Sequence, residues 1–317
     1  MSDTYERAQG AVVVIGSANA DLVASVPRRP AGGETVLAHD FERRAGGKGA
    51  NQAAASARAG ARTVFVGAVG DDPIGAEQIE QLEHEGVDTR SVHRLSGVAT
   101  GTALISVTPE GENSIVVVPG ANGLLSGSLV VAALDDLLSD ESSRPAAVVV
   151  QTEVSAEAID AAVAWSTKNG IRVVLNDGPV IPLGAATLHA ADPLIVNEHE
   201  AQELCRRRGP LELLSLARAT QEETGARSVV VTGGGAGAVV LTAAGPLLIR
   251  SQAAASVIDT TGAGDAFAGT LVAHLAHGAG LEDAARAAVA AATVSVSWPG
   301  ARPPRHHLPP DPSKGKR

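Results

Sequence analysis

Cysteine occurs once in this 317-residue chain, as Cys205. This excludes an intrachain disulfide framework and a cysteine-built zinc site, and it makes a cytoplasmic setting the expectation. Aromatic residues are nearly as scarce: two Trp, one Tyr and three Phe. A core must therefore be filled by Ala, Val, Leu and Ile, and an apolar share of 44% allows a large one. No apolar run approaches the ~20 residues of a membrane-spanning helix. Asp3 and Glu6, ahead of the brief run 11–15, argue against a signal peptide and leave that run as a first buried strand. Basic residues are outnumbered, 25 against 35 acidic ones, giving a net charge of −10 and a pI of about 5.4. That balance argues against nucleic acid and anionic membranes as partners. Three catalytic signatures are also missing: the GxSxG elbow of hydrolases, an HxxxH or HExxH metal pair, and a GxGxxG fingerprint after the first strand.

What remains is an alternation of short β-branched runs with Ala-rich helical segments. Strands are predicted over 11–15, 63–66, 147–150, 172–175, 194–196, 228–232 and 238–241. Helices are predicted over 49–59, 73–85, 156–168, 198–207, 211–224, 264–277 and 281–297, with Asp72-Pro73 as an N-cap followed by proline. Near-continuous apolar strands between helices indicate an α/β fold, a three-layer αβα core with a mostly parallel central sheet. Two regions break the rhythm. Segments 98–107 and 114–118 flank the turn Thr108-Pro109-Glu110-Gly111-Glu112-Asn113, and segments 21–26 and 34–41 alternate around Pro27, Pro30, Gly32 and Gly33. They predict a small antiparallel β lid; the alternatives, compatible with it, are a structural edge extension or an oligomer contact. The core is expected over 10–18, 43–97 and 120–308, the lid over 19–42 and 98–119, and an irregular tail over 309–317. Exposed lid strands invite pairing, so a homodimer through the lid is expected.

Five motifs carry candidate chemistry. Asp259-Thr260-Thr261-Gly262-Ala263-Gly264-Asp265 joins an apolar run to a helix pattern. Gly262, Ala263 and Gly264 then lie at a helix N-terminus, where unpaired amides and the helix dipole suit an anion, and Asp265 beside them could take a proton from a hydroxyl. The structural alternative is a tight turn with a dipole-complementing acid. Gly46-Gly47-Lys48-Gly49-Ala50-Asn51-Gln52 opens another helix around one of only four lysines; it is not a Walker A loop, because Gly49 follows the lysine. Gly16-Ser17-Ala18-Asn19-Ala20-Asp21 follows the first strand, with Asn19 and Asp21 on one side, suited to sugar hydroxyls or to an Asx-turn. Asn197-Glu198-His199-Glu200 has capping-box spacing, with Asn197 and Glu200 alternatively near a magnesium-bound triphosphate. Thr232-Gly233-Gly234-Gly235-Ala236-Gly237 is either a hairpin turn or a backbone cradle for a nucleotide.

In this order the motifs resemble those of the ribokinase family of sugar and nucleoside kinases, over roughly 11–304; Gly47–Gln52 with Asn19 and Asp21, and Pro119-Gly120-Ala121-Asn122, are closest to its ribokinase branch. The resemblance implies ATP-dependent phosphorylation of D-ribose at O5. Asp265 would be the base, and Gly262, Ala263 and Gly264 the anion hole. Asn19, Asp21, Gly47, Lys48, Gly49, Ala50, Asn51 and Glu153 would hold the pentose. Asn197, Thr232, Gly233, Gly234, Gly235, Ala236 and Gly237, with Gly264 and Asp265, would contact ATP, and Glu200 would place Mg2+ through water. Asp259, Thr261, Ser295, Trp298, Gly300 and Pro304 match a K+ site built largely of carbonyls. The chain departs from the family pattern at Asn176-Asp177-Gly178-Pro179, usually Asn-Pro-Ala-Pro, and at Val289, where an adenine-contacting polar residue often stands. Other readings remain: a kinase of this fold for deoxyribose, a ketohexose or a nucleoside, a nicotinamide oxidoreductase, or a non-catalytic sugar sensor.

Overall fold

A computed structural model of the protein describes residues 10–109, 113–207, 209 and 211–302. The chain runs β1 (Ala11–Ile15), β2 (Asn19–Ser25), β3 (Asp40–Gly46), α1 (Lys48–Arg58), β4 (Thr63–Gly70), α2 (Pro73–His84), β5 (Val92–Leu95), β6 (Gly101–Val107), β7 (Asn113–Val118) and α3 (Gly127–Ser139). It continues β8 (Pro145–Gln151), α4 (Ala156–Lys168), β9 (Arg172–Asn176), α5 (Ala185–Ala190), β10 (Ala191–Asn197), α6 (Glu198–Leu204), α7 (Leu213–Thr224), β11 (Val229–Thr232), β12 (Ala238–Thr242), β13 (Gly245–Ile249), α8 (Ala263–Ala276) and α9 (Leu281–Ser295).

Nine strands form the central sheet in the order β13-β12-β11-β10-β9-β8-β1-β4-β5. Pairing is parallel from β11 to β5 and antiparallel only at β12 and β13. Both faces of β1 are apolar because both are covered. Ala11, Val13 and Ile15 pack with Leu134, Ile159 and Leu216 of α3, α4 and α7. Val12 and Val14 pack on the other side with Ala50, Phe267, Leu271 and Ala288 of α1, α8 and α9. The small residues of this second layer bring helix backbones close. A Cβ at Gly269 of α8 would lie 2.6 Å from the Ala55 Cβ and 2.9 Å from the Ser56 nitrogen of α1. Asp265 stands one helical turn before Gly269 and so shares its face. This close approach sets Asp265 against α1.

A second sheet, β3-β2-β6-β7, rises from the end of β1. Its hairpins β2–β3 and β6–β7 are antiparallel, and β2 joins β6 in parallel. Directly opposed residues share a face. Leu22, Leu104 and Val116 therefore lie on one side, and Asp21, Ala103 and Val117 on the other.

Several element boundaries differ from the sequence reading. The strand expected over 34–41 starts at Asp40, because the Glu34 carboxylate is taken by Arg28 and by the Ala31 amide (3.0 Å), which tie the preceding segment into a turn. Its pairing with β2 then runs through Gly46. α6 ends at Leu204. α3 lies in a stretch left unassigned by the sequence reading; Ser126 starts it by capping the Leu129 amide at 3.3 Å. β5, β13 and α5 were also missed, being short and broken by polar residues, Gly-Pro or a short Ala run. The expected lid turn at 110–112 and the tail lie outside the described residues. Gly269→Val is expected to destabilise the fold by about 1–3 kcal/mol through forced separation of α1 and α8. Denaturant titration checks this, and a midpoint equal to that of the parent would contradict the close-packing argument.

Candidate functional site

The site lies where β1 ends, at the carboxyl edge of the parallel strands, the edge at which open α/β sheets bind ligands. The chain segment at 46–50 docks on the segment at 16–18. The Ala50 amide donates to the Ser17 carbonyl at 2.8 Å, and a Cβ at Gly49 would sit 2.6 Å from the Ser17 nitrogen. Gly47 adopts φ 86°, a left-handed conformation that favours glycine. Much of the glycine in this motif thus serves the approach of two backbones. Gly46 leaves the space that the Asp21 carboxyl occupies.

Asp265 lies in the first turn of α8, 7% exposed. Asn51 Nδ2 donates to its Oδ2 at 3.0 Å and Gln52 Nε2 to its Oδ1 at 3.1 Å. Gln52 is held in turn: its Oε1 accepts from Gln151 Nε2 (2.7 Å) and its Nε2 also donates to Asn176 Oδ1 (2.9 Å). Asn176 Nδ2 ends the chain on the Ile195 carbonyl at 3.2 Å. Gly262, at φ 75°, caps α8 without a side-chain hydrogen bond. The Ala263 amide closes the turn onto Thr260 O at 3.2 Å, while a Cβ at Gly264 would meet nothing within 4 Å. Open space therefore fronts the start of the helix, where backbone amides have no intrahelical acceptor.

Glu153 joins the two loops, accepting from Ser17 Oγ at 2.5 Å and from the Lys48 amide at 3.1 Å. Asn19 Oδ1 accepts from Asn122 Nδ2 at 2.7 Å, and Asn122 Oδ1 accepts from the Ala18 amide at 3.0 Å. Charges are concentrated here. Burial pushes the Asp265 pKa up, and Lys48, Gln52 and Asn51 oppose this only partly. Burial, reinforced by Glu153, raises Asp21 to about 6. Burial would lower the Lys48 ammonium, but Asp265, Glu200 and Glu153 outweigh it and raise its pKa. The structure thus gathers Asn19, Asp21, Gly47, Lys48, Gly49, Ala50, Asn51, Glu153 and Asp265, with Glu200 within electrostatic reach.

The remaining sequence candidates lie along the same edge and beside α8. Asn197 and Glu200 form a capping box at 2.7 and 2.9 Å, as their spacing predicted. Asn197 is the register partner of Thr232, where β11 turns through Gly233–Gly237 into antiparallel β12. The glycine motif forms the turn of the β11–β12 hairpin, with Gly233 N donating to Gly237 O at 2.8 Å. Asp259 ties two loops: Oδ1 accepts from the Thr261 amide (2.9 Å) and Oδ2 from the Gly300 amide (2.8 Å). The Asp259 and Trp298 amides reach Val296 O (3.2 Å) and Ser295 O (3.3 Å), and buried Ser295 donates to Ala292 O at 2.9 Å. Pro304 lies outside the described residues. Val289 is buried in the core.

Sequence reasoning missed Gln151 and Asn176 as partners of Gln52, and it missed Arg44 and Arg302 altogether. Arg44 Nη1 lies 3.5 Å from Asp259 Oδ2, and Arg302 Nε donates to Asn51 Oδ1 at 2.9 Å. Partners 99 and 124 positions apart leave no periodic signal.

Residues 9–308 match the model of the pfkB family of carbohydrate kinases, so the chain belongs to that family and is a kinase phosphotransferase. It is 38% identical to a ribokinase of Bacillus subtilis over 92% of this chain and 94% of that protein. It is 32% identical to a deoxyribokinase of Salmonella typhi over 91% and 93%. Among solved structures it superposes on Arabidopsis thaliana ribokinase complexed with ribose and ATP with a TM-score of 0.81, at 30% identity over 94% and 96% of the two chains. The sugar kinase expectation and the αβα-plus-lid architecture are borne out.

Asp177, in the segment that departs from the family pattern, is fully buried; neither carboxylate oxygen makes a well-formed hydrogen bond, and the nearby Ile181 amide offsets its burial only in part. Burial, with Glu200 and Glu203 nearby, pushes its pKa up to about 7. The folded state then holds this proton more tightly than the unfolded chain, so the residue costs stability as pH rises from about 4 to 7, and the cost is complete above that. Asp177→Asn should raise the unfolding free energy at pH 8 by up to about 4 kcal/mol, with the gain vanishing near pH 4. Thermal unfolding across pH in buffer without divalent cations tests this. A gain independent of pH would contradict it.

Proposed function

We propose that the protein phosphorylates D-ribose at O5 with ATP, giving D-ribose 5-phosphate and ADP. The observation that carries this reading is the buried Asp265 carboxylate, fixed between Asn51 and Gln52 at the open start of α8. Asn19, Asp21, the 47–50 backbone, Asn51 and Glu153 bind the pentose hydroxyls. Lys48 balances the negative charge of the reacting groups. ATP lies along Asn197, Thr232 and Gly233–Gly237, with its terminal phosphate directed at the amides of Gly262–Gly264. Asp265 accepts the proton of the acceptor hydroxyl as the new O–P bond forms, and the helix start holds the charge on the migrating phosphoryl group. Among the described residues no group of three or more His, Cys, Asp or Glu is arranged as a metal site. This suits Mg2+ carried on phosphate oxygens and reached from Glu200 through water. Bound there, magnesium would neutralise phosphate charge. Potassium, on carbonyls of the loops joined by Asp259, would order the turn before α8.

The similarity to ribokinases supports ribose, and the similarity to a deoxyribokinase makes 2-deoxyribose the second reading. The nicotinamide reading loses support because the glycine turn after β11 leads into an antiparallel strand and not a helix. An ADP-release assay with ribose, deoxyribose, fructose and a nucleoside should give ribose the highest kcat/KM, and faster turnover in potassium than in sodium. A better acceptor than ribose, or equal rates in the two salts, would overturn the corresponding part. Asp265→Asn should lower kcat by about 10²–10⁴-fold while ribose still binds. Near-parental turnover would remove Asp265 as the base.

The second sheet also exposes Phe41, Leu104, Val116 and Val118 on the face turned from Asp21. A contiguous apolar surface of this kind marks an interaction site, and we infer that a second copy covers it. Sedimentation should show a dimer that Leu104→Asp with Val116→Asp converts to a monomer. A monomeric parent protein at micromolar concentration would contradict this.

A further inference from the structure

The two oxygens of Asp265 are held by arms of different construction. The Oδ1 arm runs through Gln52 to Gln151 and Asn176 and ends on the Ile195 carbonyl of β10, inside the central sheet. The Oδ2 arm has one link, Asn51. Its outer end is Arg302, a residue beyond the last helix that joins the site from the far end of the chain. Arg302 Nε donates to Asn51 Oδ1 at 2.9 Å, and its Nη2 donates to the Gly46 carbonyl at 3.3 Å, the point where β3 makes room for Asp21.

This arrangement constrains the Asn51 amide. A guanidinium can only donate and an ionised carboxylate can only accept. Flipping the amide would set Nδ2 against the guanidinium and Oδ1 against the carboxylate, so both contacts would become repulsive. One orientation satisfies both neighbours, and it is the one that points an N–H at Asp265. Burial pushes the Arg302 pKa down to about 10, which leaves it charged at neutral pH.

We propose that Arg302 is a positioning residue for phosphoryl transfer, locking the Asn51 amide so that the Asp265 carboxylate is held facing the acceptor hydroxyl. The inference rests on the sugar kinase reading. Without the guanidinium the Asn51 amide is free to rotate, the Oδ2 arm is lost, and the carboxylate keeps only its Gln52 contact. Asn51 also touches the pentose, but Asn19, Asp21 and Glu153 still hold the sugar and the ATP contacts are untouched, so the loss falls chiefly on turnover.

Two substitutions separate the hydrogen bond from the charge and from packing. A glutamine Nε2 stands as many bonds from the backbone as the arginine Nε, so Arg302→Gln keeps a donor toward Asn51 and removes the charge. Arg302→Met keeps apolar bulk and removes the donor. Steady-state kinetics with ribose and ATP, in the Asn51 and Asn51→Ala backgrounds, should show kcat about tenfold lower in Arg302→Met, with the KM for ATP unchanged. Arg302→Gln should recover kcat to within about threefold of the parent. In the Asn51→Ala background Arg302→Met should cost no more than about twofold further, because the coupling partner is gone. Thermal unfolding of each variant identifies any that fail to fold, and the comparison is then made between the remaining pairs. The proposal is overturned by full turnover in Arg302→Met, by Arg302→Gln as slow as Arg302→Met, or by a methionine effect undiminished in the Asn51→Ala background. A parent protein that releases no ADP with any acceptor would overturn the kinase reading itself, a distinct outcome.

Discussion

The contact between α1 and α8 is the constraint on which the site depends. It is closer than side chains allow at one point, and Gly269 is what permits it. That approach lets two consecutive residues of α1, Asn51 and Gln52, reach the carboxylate on the first turn of α8. A gap wider by one methyl group would break both hydrogen bonds and leave Asp265 buried without partners. The same contact removes water from the carboxylate, which raises its pKa and strengthens every local charge interaction. Packing and chemistry are here one problem: small residues at the α1–α8 contact bring backbones near enough for short polar side chains to meet.

The charges around Asp265 form a balanced set. Lys48 lies among Asp265, Glu200 and Glu153, and its charge offsets part of the cost of burying the carboxylate opposite. Asp21 is held by burial and by Glu153 against the lowering influence of Arg302 and Arg44. Five separated stretches contribute to this set, β2 with Asp21, the start of α1 with Lys48, the turn after β8 with Glu153, α6 with Glu200 and the start of α8 with Asp265, and the fold makes them adjacent. Asp259 extends the connection, since it tethers the turn before α8 to the loop after α9 and faces Arg44 of β3. The lid strand, the helix start and the C-terminal loop are therefore mechanically linked.

The fold was legible in the sequence wherever the chain is buried on both sides. Val12 to Ile15 and Val148 to Val150 read as strands because nothing polar interrupts them, and Asp72-Pro73 fixed the start of α2 with a 2.7 Å cap to Gly75. The 259–265 turn stood out because glycines and an acid interrupt an apolar pattern. Legibility failed where a distant partner decides. Glu34 alternates like a strand residue, yet Arg28 draws it into a turn. Gln52 looks like a polar residue on a helix, and only the structure brings Gln151 and Asn176 to it. Arg302 sits in a Pro-rich stretch with no local pattern, and its meaning depends on Asn51, 251 positions earlier. Part of the purpose of the glycines at 46–49 is the approach of the Ser17 backbone, which no local pattern announces.

The central claim is that the amides opening α8 hold a migrating phosphoryl group while Asp265 takes a proton from a sugar. The most direct measurement is a crystal structure with ribose, ADP, magnesium and a planar metal-fluoride mimic of the transferring group. The account predicts the fluoride ligands within hydrogen-bond distance of the Gly262–Gly264 backbone and the sugar O5 within hydrogen-bond distance of an Asp265 oxygen. A mimic bound away from that turn, or a sugar whose O5 faces away from Asp265, would contradict it.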